Sequence, residues 1–133
     1  MSTLKSRDGS NTLAEELGQL SPTITSSIAQ MRKTAYLQGE VPSKYKLLSA
    51  AAISVALRCE PCIRAYVEWA GKKGATKTEL VEFLNVAMAM QGCPGEEWSL
   101  KALRAWEELI EGKVSQSTEP THEHSGDGCC SGS

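Results

Sequence analysis

Apolar residues recur every three or four positions through most of residues 12–112, and no stretch alternates polar with apolar convincingly. That period belongs to helices that bury one stripe. Thr12-Leu13-Ala14-Glu15 has the capping-box form and opens a short helix through Leu17 to Leu20. Ser21-Pro22 is a second start, an N-cap serine with proline at the first helical position. From there Ile24, Ile28, Met31 and Ala35 share one face, and Gly39 is the expected stop. Val41-Pro42-Ser43 predicts a turn. From Ser43 to Leu57 the apolar residues Leu47, Leu48, Ala50, Ala51, Ala52, Ile53, Val55, Ala56 and Leu57 leave almost no polar face. A helix apolar all round is expected to be buried all round, so this is the predicted central helix. Its many alanines favour helix over strand.

Pro61 starts the next helix, with Ile63, Tyr66, Val67 and Ala70 inward and Lys72-Lys73-Gly74 at its end. Thr76-Lys77-Thr78-Glu79 is another capping box, followed by the stripe Leu80, Phe83, Leu84, Ala87 and Met88. Gln91-Gly92-Cys93-Pro94-Gly95 breaks the pattern. Glu96 and Glu97 then suit the first turn of a last helix, with the stripe Trp98, Ala102, Ala105, Trp106, Leu109 and Ile110 and a stop at Gly112. The pattern predicts an all-α bundle of five to six helices over residues 12–112. Residues 1–11 and 113–133 are polar, and both read as disordered flanks.

Composition narrows the function. A chain of 133 residues is long enough for one domain with a real core. A net charge of −2 offers no basis for binding nucleic acid or an anionic membrane. The longest apolar run falls short of the roughly 20 residues needed to span a bilayer. No secretory signal is visible, so a cytoplasmic location is expected, where cysteines stay reduced unless catalytic, metal-bound or sensing. Against that background the five cysteines matter.

Cys59-Glu60-Pro61-Cys62 places two thiols on one face of a helix start, with Cβ atoms about 5–6 Å apart in regular geometry. A small adjustment brings them to the roughly 3.5–4.5 Å of a disulfide. The positive end of the helix dipole favours a thiolate there. Arg58 and Arg64 add positive charge and Glu60 opposes it. Position alone leaves open which cysteine attacks first. The plainer alternative is two small core residues. Tyr66, four residues after Cys62, is either a hydrogen-bonding group at the thiols or a packing residue. Cys93 is read as a buried or capping thiol, or as a third thiol beside the pair. Leu47 is core. Trp69, Trp98 and Trp106 are core or subunit-interface residues, with Trp69 off the main stripe and suited to an oligomer contact.

The tail adds His122, His124, Cys129 and Cys130, four soft or borderline ligands within nine residues. They suit zinc, copper(I) or arsenite, or a tethered dithiol that reduces the first pair, or have no role at all. Strict zinc-finger spacing is missing.

Three blocks in order, Ala56-Leu57-Arg58-Cys59-Glu60-Pro61-Cys62-Ile63, Gly71 to Leu80, and Val86 to Gly92, resemble the carboxymuconolactone decarboxylase-like family with its alkylhydroperoxidase AhpD branch. The resemblance implies an all-helical fold, assembly as a homotrimer or homohexamer, and peroxide reduction or a related thiol–disulfide function at Cys59 and Cys62. It casts Cys62 as the attacking thiolate and Cys59 as the resolving thiol. It implies a hydroperoxide or disulfide substrate, an external dithiol reductant and no cofactor. Peroxidase members carry a histidine where this chain has Tyr66 and a glutamate where it has Leu47. A peroxiredoxin-like enzyme here is therefore expected to be slow on peroxide. The competing expectations are a thiophilic metal or metalloid module built on the tail, and a structural oligomer with vestigial cysteines.

Overall fold

The computed structural model describes residues 9–113, with side chains from Thr12 onward. The described residues form six α-helices and no strand: α1 (Gly9–Leu20), α2 (Pro22–Ala35), α3 (Ser43–Leu57), α4 (Glu60–Lys72), α5 (Lys77–Gln91) and α6 (Cys93–Leu109). The expected all-α bundle is therefore what the chain forms. The chain divides into two compact units, one ending at Leu37 and the other beginning at Gln38.

The first unit holds α1 and α2. α1 begins three residues before Thr12, so Thr12 lies inside the first turn and is not the cap. α2 starts at Pro22 as expected but ends at Ala35, ahead of Gly39. Its stripe does not become a core: Ile24, Ile28 and Met31 are exposed, and α2 buries no residue. Two helices alone cannot enclose an apolar face.

The second unit holds the core. α3 is bounded as the pattern predicts, and Gln38 Oε1 accepts the Ser43 N–H at 3.1 Å where the helix starts. Leu47, Leu48, Ala50, Ala51 and Val55 are buried, and α4, α5 and α6 all pack on α3. The expectation of burial on every side fails at two places: Ile53 and Leu57 are 58% and 72% exposed. Three neighbouring helices cover only part of a helix circumference, and the fourth side stays open. α4 buries Ile63, Val67 and Ala70; α5 buries Leu80, Leu84 and Ala87; α6 buries Ala102, Ala105 and Trp106. Phe83 and Met88 are only half-buried.

The capping box at α5 is present in both halves: the Glu79 N–H donates to Thr76 Oγ1 at 3.1 Å and the Thr76 N–H to Glu79 Oε1 at 3.0 Å. Lys44 on α3 reaches the same carboxylate at 3.1 Å. Its hydrogen bond and charge, with the Thr76 N–H, hold Glu79 below the ordinary carboxylate range. α6 begins at Cys93, ahead of the expected Glu96, because Pro94 fits its first turn. Gly95 is buried at the α5–α6 crossing, where a Cβ would stand 2.9 Å from the Ala87 carbonyl. The small residue lets the two backbones approach.

Candidate functional site

The Cys59–Cys62 pair occupies the corner between α3 and α4, and backbone hydrogen bonds build that corner. The Arg58 N–H donates to the Val55 carbonyl at 3.1 Å, and the Cys59 N–H donates to the Ser54 carbonyl at 3.0 Å. These are the two bonds of a Schellman motif, with Arg58 just past the helix end. The motif demands a left-handed residue there, and Arg58 supplies it with φ 55° and ψ 42°. Among the described residues Arg58 is the non-glycine residue with positive φ. Cys59 follows in extended conformation, φ −101° and ψ 93°, as the N-cap of α4. Its carbonyl accepts the Ile63 N–H at 2.9 Å. One residue thus closes α3 and opens α4, and no linker separates the thiols from the core. Fully buried Ile63, next to Cys62, anchors the first turn.

Cys59 and Cys62 are joined in a disulfide, their Cα atoms 5.2 Å apart. Both residues are half-buried, so the pair is not part of the fully buried core. The reading of the pair as two plain core residues does not fit this arrangement. Cys59 makes no side-chain cap bond to α4. The first-turn N–H groups of Glu60 and Cys62 have no intrahelical acceptor, and Pro61 has no N–H at all. That end of the helix favours a thiolate once the disulfide opens.

The charges around the corner fall into pairs, with one exception. Arg64 Nη1 binds Glu108 Oε2 at 2.8 Å, and Lys101 Nζ lies 3.4 Å from Glu60 Oε2. Lys101 also stands over the Trp98 ring, 5.0 Å from its centroid. Arg58 is exposed and has no ion pair or side-chain hydrogen bond among the described residues.

The other expected site residues are placed as follows. Tyr66 lies one turn beyond Cys62, half-buried, with its ring edge-on to Trp69 at 5.4 Å between centroids. Trp69 itself is 41% exposed. Leu47 is 3% exposed and belongs to the core, as expected, and brings no carboxylate to the pair. Cys93, half-buried at the first residue of α6, is not a free thiol, so it is no spare third ligand. His122, His124, Cys129 and Cys130 lie outside the described residues. Among the described residues no group of three or more His, Cys, Asp or Glu side chains is placed to hold a metal, and no helix is long and apolar enough to cross a membrane.

Sequence reasoning treated Arg58 only as nearby positive charge and missed its backbone role. The signal was present: a helix ends at Leu57 with no glycine after it. It also missed Gln91, whose Nε2 donates to the Ala56 carbonyl at 3.0 Å and ties the end of α5 to the end of α3. No local pattern announces that bond.

Comparison with known proteins agrees with this frame. The model of the carboxymuconolactone decarboxylase family matches residues 22–105. An uncharacterised protein of Cupriavidus necator is 32% identical over 93 residues, 70% of this chain and 82% of that protein. The crystal structure of a carboxymuconolactone decarboxylase family protein from Legionella pneumophila, in its apo form, superposes with a TM-score of 0.71 at 30% identity, covering 74% of this chain and 88% of its own. A family protein from Thermotoga maritima, suggested to be involved in an antioxidative response, matches with a TM-score of 0.67 at 26% identity, over 77% and 87% of the two chains. The family model covers more than half of the chain, and this chain belongs to the carboxymuconolactone decarboxylase family.

Proposed function

We propose that the chain is a thiol–disulfide oxidoreductase acting through Cys59 and Cys62, with a slow thiol-dependent peroxidase activity at the same pair. The observation that carries the reading is the disulfide itself, held across the first turn of α4 at the edge of the core. The suggested antioxidative role of the Thermotoga maritima relative supports the same class of chemistry.

In the reduced state one thiolate of the pair attacks a substrate disulfide. A mixed disulfide forms and the first substrate thiol leaves. The second cysteine then attacks the mixed disulfide, the second substrate thiol leaves, and the Cys59–Cys62 bond is made. Two electrons pass from the pair to the substrate. An external dithiol returns them by the reverse exchange and leaves as its own disulfide. With an alkyl hydroperoxide, the thiolate takes one oxygen to become sulfenic acid and an alcohol is released; the second cysteine condenses with it, releasing water and forming the same disulfide. Exchange needs less proton management than peroxide cleavage. Tyr66 offers a phenol in place of an imidazole, and Leu47 offers no ionisable group. Tyr66 acts in this reading as a hydrogen-bonding or orienting group.

The same reading has the chain assemble as a homotrimer or homohexamer. The uncovered apolar residues Ile53 and Leu57 on α3, Val86 and Met90 on α5, and Trp69 on α4 support it.

The test is turnover of a small disulfide and of an alkyl hydroperoxide with a dithiol as regenerating reductant. Wild type is expected to reduce the disulfide faster than the peroxide, and Cys62→Ser and Cys59→Ser to lose both activities. Equal rates for wild type and Cys62→Ser in both assays would remove the reading.

A further inference from the structure

Arg58 combines three properties that do not coincide elsewhere in the described structure. It stands in the left-handed region, at an energetic cost that glycine would avoid. It is the chain neighbour of Cys59. Arg58 is exposed and its guanidinium has no partner among the described residues, whereas Arg64 is held by Glu108 and Lys101 by Glu60. The Schellman hydrogen bonds use only backbone atoms, so any residue able to adopt the conformation would serve the fold, and glycine would serve it best. The fold therefore explains the conformation but not the arginine. Backbone strain beside a reactive group, retained for a side chain that the fold leaves unused, points to a role toward a ligand. Because the two neighbouring cations are neutralised, the uncompensated positive charge next to the pair in the chain is, among the described residues, that of Arg58. Guanidinium presents a planar fork that matches a carboxylate.

We propose that Arg58 is a specificity-determining residue that binds the carboxylate of a small anionic thiol and delivers its sulfur to the Cys59–Cys62 disulfide. This rests on the pair being the redox centre. The thiolate of the small molecule attacks one sulfur of the Cys59–Cys62 bond. That bond breaks, a mixed disulfide forms, and the other cysteine leaves as thiolate and takes a proton. A second small thiol attacks the mixed disulfide, freeing the remaining cysteine. Two small thiols are oxidised to one disulfide as the protein pair gains two electrons and two protons.

The experiment measures second-order rate constants for opening of the Cys59–Cys62 disulfide in the full chain. The reductants are 3-mercaptopropionate, which carries a carboxylate, and 2-mercaptoethanol, which does not, each rate being normalised to thiolate concentration. Alkylation quench and peptide mass spectrometry read the two cysteines directly. Removing one charge contact at about 4 Å in water corresponds to a factor of about five. Arg58→Gln is expected to slow 3-mercaptopropionate about fivefold at low salt and to leave 2-mercaptoethanol within about twofold. Arg58→Lys is expected to retain most of the wild-type preference. Arg58→Gly, which satisfies the corner without strain, guards against misfolding and is expected to behave as Arg58→Gln. The wild-type preference should fade near 1 M salt, where the screening length falls to about 3 Å. Equal slowing of both thiols, or none, in Arg58→Gln and Arg58→Gly overturns the proposal while leaving the redox pair standing. A disulfide that neither thiol opens in folded wild type overturns the redox reading and this inference together.

Discussion

Two tight corners of the second unit solve the same problem differently. At the α3–α4 corner the residue with positive φ is Arg58; at the α5–α6 corner it is Gly92. Both are followed by a cysteine and, soon after, a proline in the first turn of the next helix. Gln91, last residue of α5, bonds the Ala56 carbonyl near the end of α3, so the two corners are neighbours. The difference lies in the second dihedral. Arg58, with ψ 42°, is in the ordinary left-handed well, open to any L-residue at a moderate cost. Gly92, with φ 67° and ψ −135°, is in a region that side chains do not tolerate. Glycine is compulsory at the second corner and merely preferable at the first. Where the backbone left a choice, the chain carries a cation beside its disulfide.

The strongest way to break this comparison is Gly92→Ala. It should destabilise the fold by about 1–3 kcal/mol, the usual cost of forcing a side chain into a glycine-only conformation. Chemical denaturation that finds it neutral would mean the second corner is no more demanding than the first. Next in size is Gln91→Met, which removes the tie between the corners and leaves the Ala56 carbonyl without its side-chain donor. A loss of about 1–2 kcal/mol is expected if that carbonyl stays dry, and almost none if water replaces the amide. The smallest effect sharpens the comparison most. Arg58→Gly should stabilise the protein by about 0.5–1 kcal/mol, read as a raised denaturation midpoint at unchanged slope. A destabilised Arg58→Gly would mean that the arginine side chain supports the fold after all.

Much of the second unit could be read locally. The Thr76–Glu79 capping box, Pro61 and Pro94 in first turns and Gly74 after α4 mark helix ends through hydrogen bonds and dihedrals settled within a few residues. The stripe of Leu80, Leu84 and Ala87 likewise follows from the helical period. The thiol pair was equally legible, because a spacing of three on a helix start brings sulfurs together whatever surrounds them. The misses have one common origin. The stripe Ile24, Ile28 and Met31 has the same period as a buried one, and Ile53 and Leu57 look as apolar as Leu47 and Leu48. Periodicity says which residues share a face and not which faces find a neighbour.

By itself, then, the sequence determined the helices of the second unit, their order and the cysteine pair at the mouth of one of them, since each depends on contacts between near neighbours in the chain. Only the tertiary structure decided which apolar faces were covered and which cations were neutralised. Glu108 lies 44 residues from Arg64, and Lys101 lies 41 from Glu60. Such pairings depend on how helices cross. They turn Arg58, one of several charges near the thiols in the sequence, into the single unpaired cation beside Cys59 among the described residues.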